Sequence, residues 1–352
     1  MATTPSDNFS LVYPYIITAL EKHYHDLYPV ADVNIQLQQI LDRSYSCTAF
    51  LTVTVAGKSH KVVSKTVVHH EINRSVTESE NQAVVEYNIL KLLYPKFMEI
   101  DKCSVPEPIL VLPGIETYIM KFVDGTILSD LNKYLRYFSE EKDYSRLKEY
   151  YLLAGKWLKN FQELTGKRSA GNDSLDGVLE RCEQRLQLIE ASGDLRCPYD
   201  FCNNVRDFMR DTKACIKGQD ISVCGRHGDF TPWNIIAGSN GITVIDFLGY
   251  DEEPLHVDLY KMLVYLEDEA MSLTSSKKRA DILKKEFIAG YGCIPDQSSP
   301  VAVLCEAMQR VVSMWGCICG RSRFIHHRWA SHKRFASHMN WLINAMRYGS
   351  QP

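Results

Sequence analysis

The sequence lacks several features that mark membrane, secreted or nucleic-acid-binding proteins. Its polar N-terminus has no basic and apolar leader, and no uncharged apolar run reaches the length of a membrane span. The formal net charge is −3, so no strong positive field attracts nucleic acid. Its 11 cysteines follow no repeating frame, and no second pair supports Cys317 and Cys319 as a zinc site. These absences favour a cytoplasmic protein with reduced thiols, without a transmembrane segment or a nucleic-acid partner.

The chain has the length and composition of a globular protein with two lobes. Its 352 residues are 45% hydrophobic and contain no internal repeat or low-complexity tract, and this length supports two separate cores. Alternating apolar patterns dominate up to the Asp124-Gly125 pair, and helical patterns follow it. The pattern predicts an α+β protein with a β-rich N-terminal lobe over residues 1–124 and a helical C-terminal lobe over residues 125–352.

Each lobe has a definite predicted order of helices and strands. A leading helix over residues 8–28 comes first, and a helix over residues 78–94 is expected to end before Pro95. The predicted strands cover residues 33–37, 49–55, 61–68, 110–112 and 117–123. In the C-terminal lobe, apolar residues at helical spacing predict helices over residues 145–165, 255–268 and 300–315.

Acidic and amide side chains cluster in one short stretch of the C-terminal lobe. His227, Asp229 and Asn234 lie in the run HGDFTPWN, and the apolar strand that follows is expected to end on Asp246. In phosphoryl transfer, one carboxylate orients the attacking hydroxyl, while an amide and a second carboxylate hold magnesium against the nucleotide phosphates. This stretch therefore predicts a phosphoryl-transfer site.

A predicted hairpin explains how the two metal ligands can meet. Residues 235–237 and 242–245 are predicted strands, joined by residues 238–241 with their Asn-Gly pair. Pairing outward from Asn240-Gly241 places Ile235 opposite Asp246, so Asn234 and Asp246 are expected to be neighbours. Facing residues in such a ladder lie roughly 5 Å apart, about the separation that two ligands of one cation need.

This stretch resembles the catalytic and metal-binding loops of the aminoglycoside phosphotransferase and choline kinase family, which are relatives of the protein kinases. The family signature is His-x-Asp-x-x-x-x-Asn followed by an Ile-Asp-Phe or Ile-Asp-Trp strand end, and both parts are present. The resemblance implies a bilobal, protein-kinase-like fold, with Asp229 as the catalytic base or hydroxyl-orienting group. It also implies that Asn234 and Asp246 are magnesium ligands, and that His227 and Asp258 brace the loop.

A kinase-type site also needs a strand lysine that holds the nucleotide phosphates and a helix glutamate that pairs with it. Lys65 lies in the middle of a predicted strand, where an unpaired ammonium would be costly. Glu86 lies in the middle of the helix that follows and resembles the pairing glutamate of the family. Lys61 shares the face of Lys65, and Glu78 and Glu80 precede Glu86, so these residues stay as alternatives.

The other nucleotide contacts are predicted from their place along the N-terminal sheet. The loop over residues 42–48 should cover the phosphates, and it contains no glycine, unlike the glycine-rich loop of protein kinases. Ser44 and Ser46 are candidate donors to phosphate, although ordinary turn serines fit the same positions. The backbone of Lys121, Phe122 and Val123 is expected to meet the purine base. The resemblance thus implies ATP or GTP as co-substrate, together with Mg²⁺.

The segment after Asp246 indicates what kind of acceptor the protein uses. It leads directly to Asp258, whereas protein kinases need a much longer segment to seat a peptide. We therefore expect a phosphotransferase that moves the γ-phosphate to a hydroxyl of a small molecule. The alternatives are a non-catalytic nucleotide-binding protein of kinase shape and, less favoured, a protein kinase. The acidic run over residues 251–253 could attract a cationic amine, but a solvated charge run is the preferred interpretation.

The last segment, residues 321–352, is basic and aromatic and contains no Asp or Glu. Trp329, Phe335 and Trp341 are spaced six residues apart among its arginines, lysine and histidines. A helix of this kind can bind an anionic sugar or nucleotide, or rest against a partner or membrane surface. A C-terminal packing helix, with basic residues favoured near its end by the helix dipole, is the preferred interpretation.

Overall fold

The computed structural model describes residues 5–43, 46–68, 81–216, 218–247, 249–292, 296, 298–320 and 325–348. The chain divides into two compact units. The first unit comprises residues 1–125 and 243–248, and the second comprises residues 126–242 and 249–352.

The first unit is built on a five-stranded antiparallel sheet. Its elements are α1 (Pro5–Leu27), β1 (Val33–Asp42), β2 (Ser46–Val55), β3 (Lys58–Val67), α2 (Gln82–Phe97), β4 (Cys103–Ser104), β5 (Pro108–Leu112) and β6 (Thr117–Lys121). The strand order in the sheet is β1-β2-β3-β6-β5. Helix α1 packs on β1 and β2, while α2 packs on β3, β5 and β6. The expected small sheet with one pairing helix is therefore present.

The alternation in β2 produces the core of this unit. Ala49, Leu51 and Val53 are buried at every second position, as a strand with one face on the core requires. They pack in one cluster with Ile16 and Leu20 of α1. Strand β1 continues beyond the predicted residues 33–37 to Asp42, across a register irregularity between residues 37 and 39. An alternating pattern cannot reveal a strand beyond such a bulge.

The prediction that helix α2 ends before Pro95 is wrong. The helix continues to Phe97, with Pro95 in its last turn. A proline usually breaks a helix because it lacks an N–H and crowds the preceding turn. Here Leu93 and Phe97, four residues apart on one face, are 0% and 2% exposed. Burial of Phe97 stabilises the additional residues.

The second unit is mainly helical. Its elements are β7 (Thr126–Ile127), α3 (Leu128–Leu131), α4 (Glu141–Leu164), β8 (Arg168–Ala170), α5 (Asp176–Ala191), α6 (Phe201–Ala214), β9 (Ile221–Arg226), β10 (Ile235–Gly238), β11 (Gly241–Val244), β12 (Asp251–Pro254), α7 (Val257–Ala270), α8 (Lys277–Tyr291), α9 (Pro300–Cys319) and α10 (Ile325–Tyr348). The last two residues of β11 belong to the first unit. Strand β10 pairs with β7, and β9 lies between β8 and β12.

Helices α4 and α8 cross at very short range. A Cβ at Gly155 would lie 2.0 Å from the carbonyl oxygen of Phe287, and one at Gly290 would lie 1.9 Å from that of Leu152. Only glycine permits this approach. Next to the crossing, Trp157 is fully buried and stacks on Phe161, with ring centroids 5.0 Å apart.

The acidic run over residues 251–253 is only partly solvated, which corrects the expectation. Asp251 and Glu252 are exposed, but Glu253 is 3% exposed on β12. Its carboxylate pairs with Arg181 and with Arg226, which reaches it at 3.1 Å. Two arginines therefore compensate the cost of burying this charge.

Helix α9 is longer in the structure than the sequence predicts. Within the described ranges it is the helix that is long and apolar enough to cross a membrane, by length and composition alone, and 56% of its apolar window is buried. It packs against α5, α6, α7 and α10. The central helix of a folded unit meets the same criterion, so this match is weak evidence for a membrane span.

The basic C-terminal segment packs on its own unit as helix α10. Phe335 and His338 are buried, and Leu342 is fully buried. Trp341 stacks under the guanidinium of Arg310, 4.6 Å from the ring centroid. Arg334 donates to the carbonyl oxygen of Asp268 at 2.9 Å. These contacts are those of a packing helix.

Candidate active site

Three charged side chains meet in the first unit. The Lys65 ammonium on β3 lies 2.9 Å from Glu86 Oε1 on α2 and 2.7 Å from Asp246 Oδ1. The exposed fractions of the three side chains are 8%, 0% and 30%. Lys61, the alternative lysine, has a 65% exposed side chain and lies 4.0 Å from Asp124. The structure therefore brings Lys65, and not Lys61, to the helix glutamate.

Glu86 is held by more than the lysine. The Tyr118 hydroxyl on β6 donates to Oε2 at 2.6 Å, and the Phe247 amide donates to the same oxygen at 3.2 Å. Burial alone would lower the pKa of Lys65, but Asp246 and Glu86 outweigh it and raise that pKa. Burial, together with the nearby Asp246, raises the pKa of Glu86 above its ordinary value, although Lys65 and Tyr118 act in the opposite direction. The three donors hold the carboxyl group in one orientation.

Asp246 corrects one detail of the predicted hairpin. Strand β11 ends at Val244, so Asp246 lies two residues beyond the strand. The strands are separated by Ser239 and Asn240, one residue before the predicted centre of the turn. The expected pairing of Ile235 with Asp246 is therefore wrong. Asp246 instead has a left-handed backbone, with φ of 70°, which aspartate adopts more readily than most side chains.

The HGDFTPWN run forms a braced loop in the second unit. His227 is fully buried, and its Nδ1 accepts a hydrogen bond from the Asp229 amide at 3.3 Å. Its ring meets Trp157 and Phe230 edge-on, at centroid distances of 6.2 and 5.9 Å. Asp258 on α7 accepts from the His227 amide at 2.6 Å and from the Gly228 amide at 3.2 Å. His227 and Asp258 therefore hold the backbone of the loop in place.

Gly228 allows this loop to pass another segment closely. Its φ is +86°, and a Cβ there would lie 2.4 Å from the carbonyl oxygen of Gly249. A side chain would be strained by the backbone conformation and would also collide with Gly249. The chain therefore requires glycine between His227 and Asp229.

Both carboxylate oxygens of Asp229 have donors in the second unit. Asn234 Nδ2 lies 2.8 Å from Oδ2, and the Lys261 ammonium on α7 lies 2.8 Å from Oδ1. Asn234 Nδ2 also donates to the main-chain oxygen of Asp229 at 2.9 Å. The Asp229 side chain is nevertheless 57% exposed. An oriented, accessible carboxylate of this kind can accept a proton or a hydrogen bond from a substrate hydroxyl.

The sequence pattern of a phosphotransferase enzyme family matches residues 72–294, more than half of the chain. The chain belongs to the phosphotransferase enzyme family. This confirms the family that the sequence resembles. No curated protein sequence matched the chain.

Solved structures show that this phosphotransferase has a kinase-like fold. A glucosamine kinase in complex with glucosamine, ADP and inorganic phosphate matches with a TM-score of 0.55 and 11% identity, over 89% of this chain and 96% of that one. A choline kinase from Cryptosporidium parvum Iowa II matches with a TM-score of 0.52 and 12% identity, over 90% and 92%. A thermostable mutant of aminoglycoside phosphotransferase APH(4)-Ia matches with a TM-score of 0.50 and 10% identity, over 94% and 100%. At these identities the likeness concerns the fold, and it confirms the predicted fold class.

The other predicted nucleotide contacts of the phosphotransferase lie along its first sheet. Ser46 is the first residue of β2 and is 6% exposed, while Ser44 lies outside the described residues. Lys121 ends β6, and Phe122 and Val123 follow it. The Phe122 amide donates to the carbonyl oxygen of Lys61 at 3.0 Å. Their roles toward a nucleotide stay predictions.

Two site residues were not predicted from the sequence of the phosphotransferase. Tyr118 stands opposite Lys65 in the pairing of β3 with β6, a register that the sequence alone does not reveal. Lys261 follows Asp258 by three residues on α7, and residues at this spacing share one face of a helix. That spacing was the signal that could have found Lys261.

The proposed metal ligands suit magnesium in their chemistry. Asn234 directs its amide nitrogen to Asp229, which leaves the amide oxygen as its acceptor atom. Asp246 supplies a partly exposed carboxylate. Among the described residues no three His, Cys, Asp or Glu side chains are placed to hold a metal. Magnesium prefers oxygen ligands and is commonly held by one or two protein groups together with substrate phosphates, so the chemistry of each residue suits it.

Proposed function

We propose that this phosphotransferase moves the γ-phosphate of ATP or GTP to a hydroxyl group of a small molecule. The observation that carries the proposal is the Lys65, Glu86 and Asp246 cluster. An ammonium with an 8% exposed side chain is held there by two carboxylates at 2.9 and 2.7 Å. A strand lysine held by a helix glutamate is the device that kinase-type enzymes use on nucleotide phosphates.

In this proposal the first unit binds the nucleotide. Lys65 donates to the α- and β-phosphates, and Glu86 fixes the direction of its ammonium. In the structure, Asp246 accepts a hydrogen bond from Lys65. Asp246 and Asn234 are the proposed magnesium ligands, and bound magnesium would neutralise the charge of the phosphates.

Asp229 in the second unit is proposed to bind and orient the acceptor hydroxyl. Its carboxylate receives a hydrogen bond from the acceptor hydroxyl and directs the oxygen toward the γ-phosphorus. The oxygen–phosphorus bond forms as the bond to the leaving nucleoside diphosphate breaks, and the hydroxyl proton passes to Asp229. Because the transition state of such transfers is loose, orientation of the hydroxyl contributes more than strength of the base.

The decisive experiment compares Asp229→Asn with wild type. Turnover of ATP and GTP is measured with amino alcohols, sugars, aminoglycosides and nucleosides as acceptors, and nucleotide binding is measured by thermal shift with magnesium. We expect the variant to lose transfer by about 100-fold or more and to retain nucleotide binding. Asp207→Asn is the matched control, because Asp207 pairs with Arg210 on the surface of α6.

Each alternative has its own outcome. Equal turnover in Asp229→Asn and wild type would remove Asp229 from the mechanism. Stabilisation by nucleotide without transfer to any acceptor would favour the non-catalytic nucleotide-binding protein. Transfer of labelled phosphate to protein substrates alone would favour a protein kinase.

A further inference from the structure

Two side chains of opposite charge near the start of α7 hold the loop formed by the HGDFTPWN run. Asp258 accepts hydrogen bonds from the amides of His227 and Gly228. Lys261, one turn later, donates to the carbonyl oxygen of Gly228 at 2.9 Å. The N–H and the C=O of Gly228 are therefore both bound to one helix face. This fixes the backbone immediately before Asp229.

Lys261 also acts on the reacting side chain. Its ammonium lies 2.8 Å from Asp229 Oδ1, while Asn234 holds Oδ2 at the same distance. The two donors approach from different elements, α7 and the loop itself. Rotation of the carboxylate would break at least one of these hydrogen bonds. The pair thus selects one orientation of Asp229.

The exposure of this pair separates a functional role from a purely stabilising one. The Lys261 side chain is 22% exposed and the Asp229 side chain is 57% exposed. Ion pairs with so much solvent contact contribute little to folding stability. Misplacing a reacting group by about 1 Å, in contrast, can cost about 100-fold in rate. Loss of Lys261 should therefore affect the rate of transfer far more than folding.

We propose that Lys261 is a positioning residue, which fixes the carboxylate of Asp229 for its contact with the acceptor hydroxyl. The inference rests on the proposed function, because it assigns Lys261 a role in that reaction. During transfer the hydroxyl proton passes to Asp229, and Lys261 contributes by holding the carboxylate in place and not by transferring a proton.

The test uses Lys261→Met, Lys261→Ala and Lys261→Arg in the full chain. Methionine keeps the aliphatic stem and removes the charge. We expect kcat to fall by about 10- to 100-fold, with KM for the nucleotide within about threefold of wild type. Arginine should recover part of the loss. Added ethylamine should raise kcat of Lys261→Ala, because an ethylammonium ion can replace the missing group.

The control is Lys284→Met. Lys284 lies on α8 and pairs with Glu267 of α7, with a 31% exposed side chain similar to that of Lys261. It should leave kcat unchanged. A merely structural role for Lys261 would instead lower the thermal midpoint of Lys261→Met and give no amine rescue.

The outcomes separate this inference from the proposed function. Wild-type kcat in Lys261→Met, with transfer lost in Asp229→Asn, would overturn the role of Lys261 and leave the proposed function intact. Wild-type turnover in Asp229→Asn would overturn both. If Lys261→Met does not fold, Lys261→Arg decides. A reduced kcat with an unaltered KM in Lys261→Arg would support the positioning role. Wild-type kinetics in Lys261→Arg, together with no amine rescue of Lys261→Ala, would refute it.

Discussion

The buried carboxylate of Glu86 makes a sharp prediction about stability. Glu86→Gln keeps the shape of the side chain but removes its charge and replaces one acceptor oxygen by an NH₂ group. Lys65 would lose one of its two carboxylate partners. If the amide oxygen stays toward Lys65, the new NH₂ group faces the Phe247 N–H, which is also a donor. Tyr118 can respond by accepting a hydrogen bond, but a backbone amide cannot.

The magnitude follows from these contacts. An unsatisfied buried donor costs about 1–3 kcal/mol. Removal of one partner from a buried ion pair costs about 3–5 kcal/mol, but Asp246 remains 2.7 Å from Lys65 and compensates part of that loss. We therefore expect Glu86→Gln to lower the free energy of unfolding of the first unit by about 3 kcal/mol. The double variant Lys65→Met/Glu86→Gln should lose less than the sum of the two single changes.

The assay must report on the first unit. All 5 tryptophans lie in the second unit, so their fluorescence follows that unit, whereas hydrogen exchange of the amides in β2, β3 and β6 follows the first. Glu107→Gln is the matched control, because Glu107 pairs with Lys121 at 3.2 Å in an exposed position. It should change stability by less than about 1 kcal/mol. Equal protection of the β3 amides in Glu86→Gln and wild type would refute the reasoning.

Three further changes test other parts of the molecule. Gly228→Ala should lower the free energy of unfolding by about 2 kcal/mol or more and reduce transfer, because φ is +86° and the new Cβ meets Gly249. Urea denaturation measures the loss of stability. The control is Gly114→Ala, whose Cβ would meet no atom within 4 Å. Burial, with a smaller effect of Lys167, lowers the pKa of His256 from 6.5 to about 4. The unfolded chain therefore binds this proton first as the pH falls, so the stability contribution is full above pH 6.5 and is lost as the pH falls from 6.5 toward 4. Urea denaturation should show about 2 kcal/mol of this loss between pH 7 and pH 5, and His256→Gln should lack it. Trp157→Ala should lower the free energy of unfolding by about 3–5 kcal/mol, since the ring is fully buried between Phe161 and Phe230. Calorimetry or urea denaturation measures this loss. Trp233→Ala is the control and should lower it far less, because Trp233 is 58% exposed.

The sequence predicted most reliably where chemistry and local pattern coincide. The HGDFTPWN run and the Ile-Asp-Phe segment pointed to the family and the fold class, and both are confirmed. The roles assigned to single residues, including Asp229 and Asn234, stay predictions. Their motif could be recognised because its spacing is fixed by one loop and does not depend on how distant strands pair.

Features that depend on distant packing escaped prediction. Tyr118 reaches Glu86 only because β6 pairs with β3 in one register. The continuation of α2 through Pro95 depends on burial of Phe97, which no local propensity contains. Gln38, at the register irregularity in β1, breaks the alternation on which the strand prediction relied. In each case tertiary contacts outweigh the local signal.

The two units hold their charged groups in different ways, and the difference matches the chemistry proposed for each. In the first unit, Lys65 and Glu86 are almost inaccessible to water, with 8% and 0% exposed side chains. A charge held this way keeps its position when a highly charged nucleotide binds or leaves. In the second unit, Asp229 is 57% exposed and is oriented by two donors instead of by burial. A group that is proposed to receive a proton from the acceptor must stay accessible to it, so in this proposal its orientation depends on Lys261 and Asn234.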